Sequence, residues 1–464
     1  MNHFKFIFQY SLVALVLFWG LSHQVLQANT QKPNIVIFYI DDLGYGDVSY
    51  QGCQDFQTPA IDSIAANGAS FSAGYVTAPV CGPSRAGLLT GRYQQEFGFE
   101  DNPGPFSQEK NTRIGIPLSV PTMGEIFKKA GYRTAWIGKH HSGHRKDNHP
   151  KARGFDIFYG FIDGSTNYYP SNKKNQGIME GTQFTPKNNR YLTDLFSDRA
   201  IEFIENNSSN PFLLYLPYNG VHTPLEAPPE LIAKYAHIEN LKRRTLAAMT
   251  HSVDQNIARV MNKIEELGKR DNTLVFCISD NGGAEDKSNY SYNGQLRSLK
   301  SSMYEGGLRV PFAMQWPDQL KPHGVCDTAV STLDVLPTIM NAAGIMINPE
   351  FPGMDLVAHL NSKSHQQVDR YLYWRFLYGH AIRDSEWKLV KPWGGKDFSK
   401  GNDWELYHIL SDPGESMNVA EHHPKAFNRL KLAWEQWSST VMKPQWGWQP
   451  DLCGNHHRQE FLDH

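Results

Sequence analysis

Cysteine is scarce in this sequence: the chain has five cysteines in 464 residues. That number is too small for the disulfide scaffold that holds many small secreted domains together. The five positions are Cys53, Cys81, Cys277, Cys326 and Cys453. Cys81 has no CxxC partner, and it lies just before a helix-like segment, where a thiol would be electrostatically activated. The role of Cys81 is therefore the first question that the sequence raises.

The sequence also lacks an excess of charge of one sign, internal repeats and long low-complexity linkers. Its formal net charge is −2, so no general attraction to nucleic acid is expected. Apolar residues make up 40% of the chain and aromatic residues 12%, which is ordinary globular composition. The length allows one large domain and a smaller one. We therefore expect a folded protein without a nucleic-acid partner.

The N-terminus differs from the rest of the chain. Lys5 precedes the apolar run Phe6–Leu21, and small or apolar residues continue to Ala28. This pattern predicts a secretory signal peptide over residues 1–28 and export to the periplasm or the exterior. A single membrane anchor is the alternative, because the run is near the lower length limit for a span. The cleavage-like end favours the signal peptide, so no stable membrane association is expected.

Short apolar runs alternate with helical patterns through most of the chain. Runs of this kind, bounded by turn signals, are typical of strands buried on both faces. The pattern predicts an α/β fold with a large, mostly parallel sheet between helices. Beyond about residue 365 it changes to three strand-like segments, RYLYWRF, GHAIRDSEWKLVK and WELYHIL, followed by one amphipathic helix. This indicates a smaller α+β unit with an antiparallel sheet. We expect a catalytic domain over residues 29–365 and a C-terminal subdomain over residues 366–464.

Four of the apolar runs end in reactive or charged side chains. In open α/β sheets, ligands bind outside the carboxyl ends of the strands. One acidic strand end would mean little, because aspartate is common in turns. Four such ends together indicate one shared site. The residues at these ends are Asp41 with Asp42, Lys139 with two following histidines, His222, and Asp280 with Asn281.

The acidic strand ends offer only hard oxygen ligands. Asp41, Asp42, Asp280 and Asn281 suit Ca²⁺ or Mg²⁺ rather than zinc. Two adjacent aspartates repel each other when nothing neutralises them. Each pair could instead be turn or helix-capping residues, and that interpretation is favoured for either pair alone. The two pairs together favour the metal site.

The segment that begins at Cys81, CGPSRAGLLTGR, resembles the C-x-P-S-R-x-x-x-L-T-G signature of the formylglycine-dependent type I sulfatases. This family lies within the alkaline phosphatase superfamily, and its signature cysteine is oxidised enzymatically to formylglycine. The resemblance spans roughly residues 33–440. The further segments that carry it are NIVIFYIDDLGYGD, GKHHSG, GVHTP, ISDNGG, LKSSMYEGGLRVPF and WELYHILSDPGESMNVA.

The resemblance implies a role for each matching residue and two partners, a maturation enzyme and a sulfate ester. One hydroxyl of the hydrate of residue 81 would attack sulfur and expel the alcohol. The second hydroxyl, once deprotonated, would expel sulfate and restore the aldehyde. Such chemistry needs a nucleophile, charge neutralisation and an acid. The implied set is Asp41, Asp42, Cys81, Asp280 and Asn281 around one Ca²⁺, Arg85 on the diol, Lys139 and Lys300 on sulfate oxygens, His141 assisting the diol, and His222 as proton donor.

One position departs from the family pattern. Residue 140 more often carries an aromatic side chain in the family, and here it is His140. Two adjacent histidines therefore compete for one role, and the K-x-H spacing favours His141.

The substrate is less well specified than the reaction. Residues 139–150 are unusually basic, which suits a polyanion such as a sulfated polysaccharide. Tyr168, Tyr169, Trp374 and Trp393 are candidates for stacking on sugars, with core packing as the alternative. The chain resembles exported bacterial sulfatases that degrade algal galactans such as carrageenan. Two other functions stay open: hydrolysis of phosphonates or phosphodiesters on the same scaffold, and binding of sulfated glycans without catalysis.

Overall fold

The computed structural model of the protein describes residues 31–103, 114–169, 177–186, 188–284, 289–362, 368–392 and 403–446. The predicted signal peptide, Trp393 and Cys453 lie outside these residues, as does the predicted boundary at residues 365 and 366. Within the described residues, no helix combines the length and apolar content needed to cross a bilayer.

Sixteen strands are defined in the described residues, and most of the longer ones coincide with predicted apolar runs. In chain order they are β1 (Asn34–Ile40), β2 (Ala69–Phe71), β3 (Gly74–Tyr75), β4 (Arg133–Lys139), β5 (Ile157–Phe161), β6 (Met179–Glu180), β7 (Gln183–Phe184), β8 (Phe212–Tyr218), β9 (Thr273–Ser279), β10 (Phe312–Gln315), β11 (Gly324–Cys326), β12 (Val330–Ser331), β13 (Leu372–Phe376), β14 (Gly379–Arg383), β15 (Trp387–Lys391) and β16 (Glu405–His408).

The helices alternate with the strands of the first three quarters of the chain, as predicted. In chain order the α-helices of the described residues are α1 (Pro59–Ala66), α2 (Cys81–Thr90), α3 (Met123–Lys129), α4 (Leu192–Asn206), α5 (Pro229–Lys234), α6 (Leu241–Glu266), α7 (Glu305–Leu308), α8 (Val335–Ala342), α9 (Leu356–Asn361) and α10 (Pro424–Thr440).

A ten-stranded sheet organises the large unit, with strand order β11-β2-β10-β9-β1-β8-β4-β5-β6-β7. The five central strands, β9-β1-β8-β4-β5, are all parallel to one another. The added strands β10 and β6 run antiparallel to their central neighbours. The predicted large, mostly parallel sheet is confirmed. The carboxyl ends of β1, β4, β8 and β9 consequently lie at one edge.

Side chains of β1 point alternately into two hydrophobic cores, one on each face of the sheet. Phe38 and Ile40 pack in the core beneath α4 and α6, while Ile37 and Tyr39 pack in the core beneath α2, α3 and α8. All of β1 is buried, because helices cover both faces. This burial explains why the residues of β1 form a continuous apolar run in the sequence.

The C-terminal unit is a four-stranded antiparallel sheet, β13-β14-β15-β16, as predicted. Helix α10 packs on one face, and the other face joins a core shared with Tyr75 and Leu308 of the large unit. The stretch from β14 to β15, predicted as one strand-like segment, is instead a hairpin. Asp384 forms its turn by accepting bonds from the Glu386 and Trp387 amides, at 2.8 and 2.7 Å.

Two of the aromatic residues proposed for sugar stacking belong to the core. Trp374 is 1% exposed, and its indole nitrogen donates to the Val76 carbonyl at 2.7 Å. Tyr168 is also 1% exposed, and its hydroxyl lies 2.8 Å from the His222 carbonyl. Neither ring has a face available to a sugar, so the alternative of core packing holds for both. Tyr169 is 39% exposed and stays a candidate.

Candidate active site

Strands β1 and β9 bring their acidic ends together. The two strands are parallel neighbours in which Ile40 pairs with Ser279, so Asp41 and Asp280 emerge side by side. The Asp280 amide donates to the Ile40 carbonyl at 3.0 Å. Asp42 adopts a left-handed backbone conformation with φ of 60°, and its amide lies 3.2 Å from Asp280 Oδ1. The four predicted oxygen ligands, from Asp41, Asp42, Asp280 and Asn281, are therefore adjacent and buried.

Three basic side chains meet the three carboxylates of this cluster. Lys139 Nζ lies 2.6 Å from Asp41 Oδ2, with both side chains fully buried. Arg85 Nη2 lies 2.7 Å from Asp280 Oδ2, and this pair is fully buried as well.

The third pair joins Lys300 to Asp42. Lys300 Nζ lies 2.6 Å from Oδ1 and 2.9 Å from Oδ2 of that carboxylate. Each base comes from a different sequence segment, and the formal charges of the three carboxylates and three bases balance. Such close pairing is what allows this many charges to be buried together.

Cys81 is the first residue of α2 and faces the charged cluster. Its Sγ lies 3.3 Å from Lys300 Nζ. Asn102 supports this end of the helix, because its Oδ1 accepts from the Gly82 amide at 2.9 Å. The sequence offered no motif that singled out Asn102. Pro83 lies in the first turn of this helix, and Leu88 is fully buried.

The unmodified Cys81 thiol is not activated, contrary to the expectation from its place before a helix. Burial raises the pKa of Cys81 to about 12, against the opposing effect of Lys139 and Lys300. A thiol with this pKa stays protonated near neutral pH. The native thiol is therefore a poor nucleophile where it stands.

The two adjacent histidines occupy different environments. His140 packs against Trp136, with ring centroids 4.9 Å apart, and its Nε2 lies 3.1 Å from the Asn148 carbonyl. His141 has φ of 49°, and its buried Nδ1 has no hydrogen-bond partner among the described residues. Burial lowers the pKa of His141 well below its usual value, with further effects of Lys139, Arg85 and Lys300. Nδ1 of His140 is also buried without a hydrogen-bond partner in the described residues, so the two rings differ in their surroundings: three bases of the cluster act on His141, whereas His140 packs against Trp136.

His222 lies at the open side of the cluster and is 20% exposed. Its Nδ1 lies 2.6 Å from the Thr223 carbonyl, so this nitrogen carries a proton, and Nε2 faces Asp42 Oδ2 at 3.8 Å. Burial lowers the pKa of His222 to about 4, against the opposing effect of Asp42. Its position between Asp42 and the exterior suits proton exchange with a bound molecule.

The carboxyl groups of Asp41 and Asp42 differ in their electrostatic environments. Burial and the Asp280 carboxylate raise the pKa of Asp41 to about 7, against Lys139 and Arg85. Burial opposes ionisation of Asp42 too, but Lys300 and His222 outweigh it and hold the pKa of that carboxyl below its usual range. The two neighbouring acids thus experience very different fields.

The donor atoms also fit a hard cation. Asp41 Oδ1 and Asn281 Oδ1 are buried without a hydrogen-bond partner in the described part of the chain. Ligand atoms of Asp41, Cys81 and Asp280 all lie within 4.8 Å of one another. The Asn281 amide nitrogen donates to Asp42 Oδ1 at 2.7 Å, which turns its oxygen away from that carboxylate. Orphaned oxygens of this kind are what Ca²⁺ or Mg²⁺ would satisfy.

The basic segment at residues 139–150, whose composition suits a polyanion, is largely buried or half-buried. Lys139, His140 and His141 are buried. His144 Nε2 lies 2.8 Å from Asp163 Oδ1, and Arg145 pairs with Asp147. Much of this charge is therefore used within the protein.

Comparisons with known proteins agree with the geometry. The Sulfatase family profile matches residues 33–345, and the profile described as N-sulphoglucosamine sulphohydrolase, C-terminal, matches residues 299–436. The chain is 27% identical to the N-acetylgalactosamine-6-O-sulfatase of Bacteroides thetaiotaomicron, over 87% of this chain and 92% of that protein. It is 28% identical to arylsulfatase J of Mus musculus, over 89% and 77% of the respective chains.

Among solved structures, the chain is similar to Ps i-CgsB. The TM-score is 0.82 at 31% identity, over 93% of this chain and 97% of that one. A second structure of Ps i-CgsB, in complex with k-i-k-neocarrahexaose, gives a TM-score of 0.82 at 32% identity, over 91% of this chain and 96% of that one. The chain belongs to the sulfatase family of the alkaline phosphatase superfamily and is a sulfuric ester hydrolase.

Proposed function

We propose that this sulfatase removes sulfate from a sulfated galactan such as carrageenan, using formylglycine formed from Cys81 and one bound Ca²⁺. The observation that carries the proposal is the position of Cys81 Sγ, 3.3 Å from Lys300 Nζ and beside the ligand atoms of Asp41 and Asp280. The similarity to a protein crystallised with neocarrahexaose supports a galactan substrate.

The metal site proposed comprises Asp41, Asp42, Asp280 and Asn281 together with residue 81. When bound there, Ca²⁺ supplies a Lewis acid for a sulfate oxygen and lowers the pKa of the hydrated aldehyde. The charges of the cluster already balance between its carboxylates and its bases. A divalent cation therefore leaves the site positive, which favours an anionic ester.

The surrounding side chains have distinct roles in this proposal. Lys139 and Lys300 hold sulfate oxygens, and Arg85 orients residue 81 from within the same helix. His222 donates a proton from Nε2 to the leaving alcohol, because Nδ1 is held by the Thr223 carbonyl. A bound sulfate ester raises the pKa of His222 and so favours the protonated donor. His141 takes the proton that residue 81 releases.

Cys81 must be converted before this site can work, so the proposal includes a maturation enzyme as a partner. It also includes cleavage of residues 1–28 and export to the periplasm or the exterior. Catalysis is assigned to residues 29–365, with residues 366–464 as the C-terminal subdomain. Phosphonate or phosphodiester hydrolysis, and binding without catalysis, are the competing outcomes of the experiment below.

The proposal is tested on protein purified from the native host. Mass spectrometry of the peptide containing Cys81 should show the aldehyde, and sulfate release should be faster from carrageenan oligosaccharides than from sulfated glycosaminoglycan fragments. A thiol throughout, with full activity, would refute the formylglycine. Sulfate release from glycosaminoglycan fragments alone would refute a galactan as the substrate. Faster turnover of matched phosphonates or phosphodiesters would refute the sulfate ester as the preferred substrate.

A further inference from the structure

A buried ion cluster joins the C-terminal sheet to the large unit. Lys388 of β15 places Nζ 2.8 Å from Glu305 Oε1 and 2.9 Å from Glu415 Oε1, and all three side chains are fully buried. We call these residues the Lys388 cluster. None of them contacts the reacting groups in the mechanism above. Burying three charges is costly unless each is paired, so the cluster needs a reason.

Glu305 is the member that belongs to the large unit. Its Oε2 accepts from the Tyr75 hydroxyl at 2.6 Å, and its backbone amide donates to Glu415 Oε2 at 2.6 Å. Arg309 Nη1 lies 3.4 Å from Oε2 as well. Both the backbone and the side chain of Glu305 are thereby held at the start of α7.

Helix α7 closes a loop that carries Lys300. The Gly306 amide donates to the Arg297 carbonyl at 2.8 Å, which brings the two ends of the loop together. A Cβ on Gly306 would lie 2.1 Å from the Ser298 carbonyl oxygen, so glycine is needed for this approach. At the tip, the Lys300 amide donates to the Gly283 carbonyl at 3.0 Å, next to the acidic end of β9.

The loop is held in a conformation that its own residues disfavour. Ser298 and Ser301 have φ of 69° and 72°, a left-handed geometry that is unfavourable for residues other than glycine. Such conformations persist where the surroundings enforce them. The other end of the loop is also held by the C-terminal unit, because Arg297 Nη1 donates to the Glu415 carbonyl at 2.9 Å. Glu415 therefore contacts both ends.

We infer that Lys388 is a positioning residue for catalysis: through Glu305 and Glu415 it sets the loop that holds Lys300 against Asp42 and residue 81. The inference rests on the sulfate-holding role proposed above for Lys300. It assigns the C-terminal sheet a part in the reaction although that sheet supplies no group to the reacting atoms. The unit is then needed for turnover as well as for stability.

The test is a double-mutant cycle on the full chain, assayed with 4-nitrophenyl sulfate. We expect Lys300→Met to lower kcat/KM on the order of 10²–10³-fold, as for loss of one electrostatic donor. Lys388→Met should lower it on the order of 10²-fold, as for misplacement of a catalytic group. Because both act through the same ammonium group, the double variant should be no slower than Lys300→Met alone. Affinity for inorganic sulfate, measured by calorimetry, should fall in both single variants.

Arg370→Met provides the matched control. Arg370 also joins the two units, with Nη2 2.6 Å from Asp334 Oδ2, and its described bonds go to Asp334 and Ala329 rather than to the Lys300 loop. This variant should lose thermal stability and keep kcat/KM within about twofold of the wild type. When it is combined with Lys300→Met, the free-energy effects of the two changes on kcat/KM should add, as they do for distant sites.

If Lys388→Met fails to fold, the double variant Lys388→Met/Glu415→Gln takes its place in the cycle. Glu415→Gln removes one of the two buried carboxylate charges that Lys388 neutralises. If the fold-losses in kcat/KM of the Lys388 and Lys300 variants multiply when the two changes are combined, the inference is overturned and the proposed function stays intact. Full turnover by Lys300→Met would refute the role proposed for Lys300, and the inference with it.

Discussion

Arg85 Nε and Nη2 lie 3.0 and 2.7 Å from the same oxygen of Asp280, Oδ2, and both side chains are fully buried. Arg85 comes from the helix that begins with Cys81, and Asp280 from the end of β9. The contact therefore ties the residue proposed as nucleophile to the acidic ligands. Because both charges are out of water, each depends on the other.

Arg85→Met should destabilise the protein strongly, since it leaves Asp280 buried without its partner. We expect the free energy of unfolding to fall by about 3–5 kcal/mol, as for other broken buried pairs. Urea denaturation measures this. Arg92→Met is the control, because the Arg92–Glu96 pair is partly exposed and should contribute less than about 1 kcal/mol. Equal losses in the two variants would contradict the structural role of the buried pair.

Cys81→Ser should fold normally and lose steady-state turnover. Serine can accept sulfate once, but it lacks the second hydroxyl that would release it. The expected time course with 4-nitrophenyl sulfate is at most one stoichiometric burst. Cys277→Ser is the control, because Cys277 is buried in the core beneath α4 and α6, and this variant should keep turnover. Wild-type turnover by Cys81→Ser would refute the nucleophile.

Calcium should raise the melting temperature of the protein, because binding to the folded state alone stabilises it. At a Ca²⁺ concentration 100-fold above Kd, the gain is about 2.7 kcal/mol. Asn281→Leu removes one oxygen ligand without changing charge and should lose most of this shift in a calorimetric scan. Asn272→Leu, just before β9, should keep it. A calcium response that is the same in both variants would place the ion elsewhere.

Phenylalanine should be tolerated at one of the two adjacent histidines and not at the other. His140→Phe keeps an aromatic ring against Trp136 and should retain kcat within about threefold, because volume-conserving core changes are mild. His141→Phe removes a proton acceptor and should lower kcat about 10²–10⁴-fold. Steady-state kinetics on the two purified variants distinguishes them. A larger loss in His140→Phe would reverse the assignment.

Asp254 should make stability depend on pH. Its carboxylate accepts from the Ala60 and Ile61 amides at the start of α1, yet burial raises its pKa to about 6. The unfolded value is near 3.9. The favourable contribution is therefore complete below about pH 4 and is lost as the pH rises through about 6. The difference between the folded and unfolded pKa values of Asp254 corresponds to about 3 kcal/mol.

Asp254→Asn should remove this dependence, because the amide oxygen can accept the same two bonds without a charge. The variant should have the larger free energy of unfolding at pH 7, and its advantage over the wild type should shrink toward pH 4. Denaturant titrations at the two pH values measure it. A difference that does not change with pH would show that Asp254 titrates normally.

The sequence predicted much of the fold because buried parallel strands and their covering helices leave local patterns. The run from Ile35 to Ile40 and the polar pair after it could be recognised without any partner strand. The hairpin of β14 and β15 was not predicted, because its turn depends on Asp384 and nothing in the local sequence distinguishes this aspartate from the others. The choice between sugar stacking and core packing for Trp374 stayed open, because the burial of a particular ring depends on which units pack together.

Local sequence by itself determined which residues stand at the strand ends, that a helix lies next to Cys81, and which family the motifs resemble. The tertiary structure alone decided which base meets which acid, that His140 packs against Trp136, and that Asn102 supports the helix of Cys81. It also created the Lys388 cluster, whose members are far apart in the chain. The reason is physical: strand and helix periodicity is a property of neighbouring residues, whereas charge pairing depends on the order of strands in the sheet and on how the two units dock.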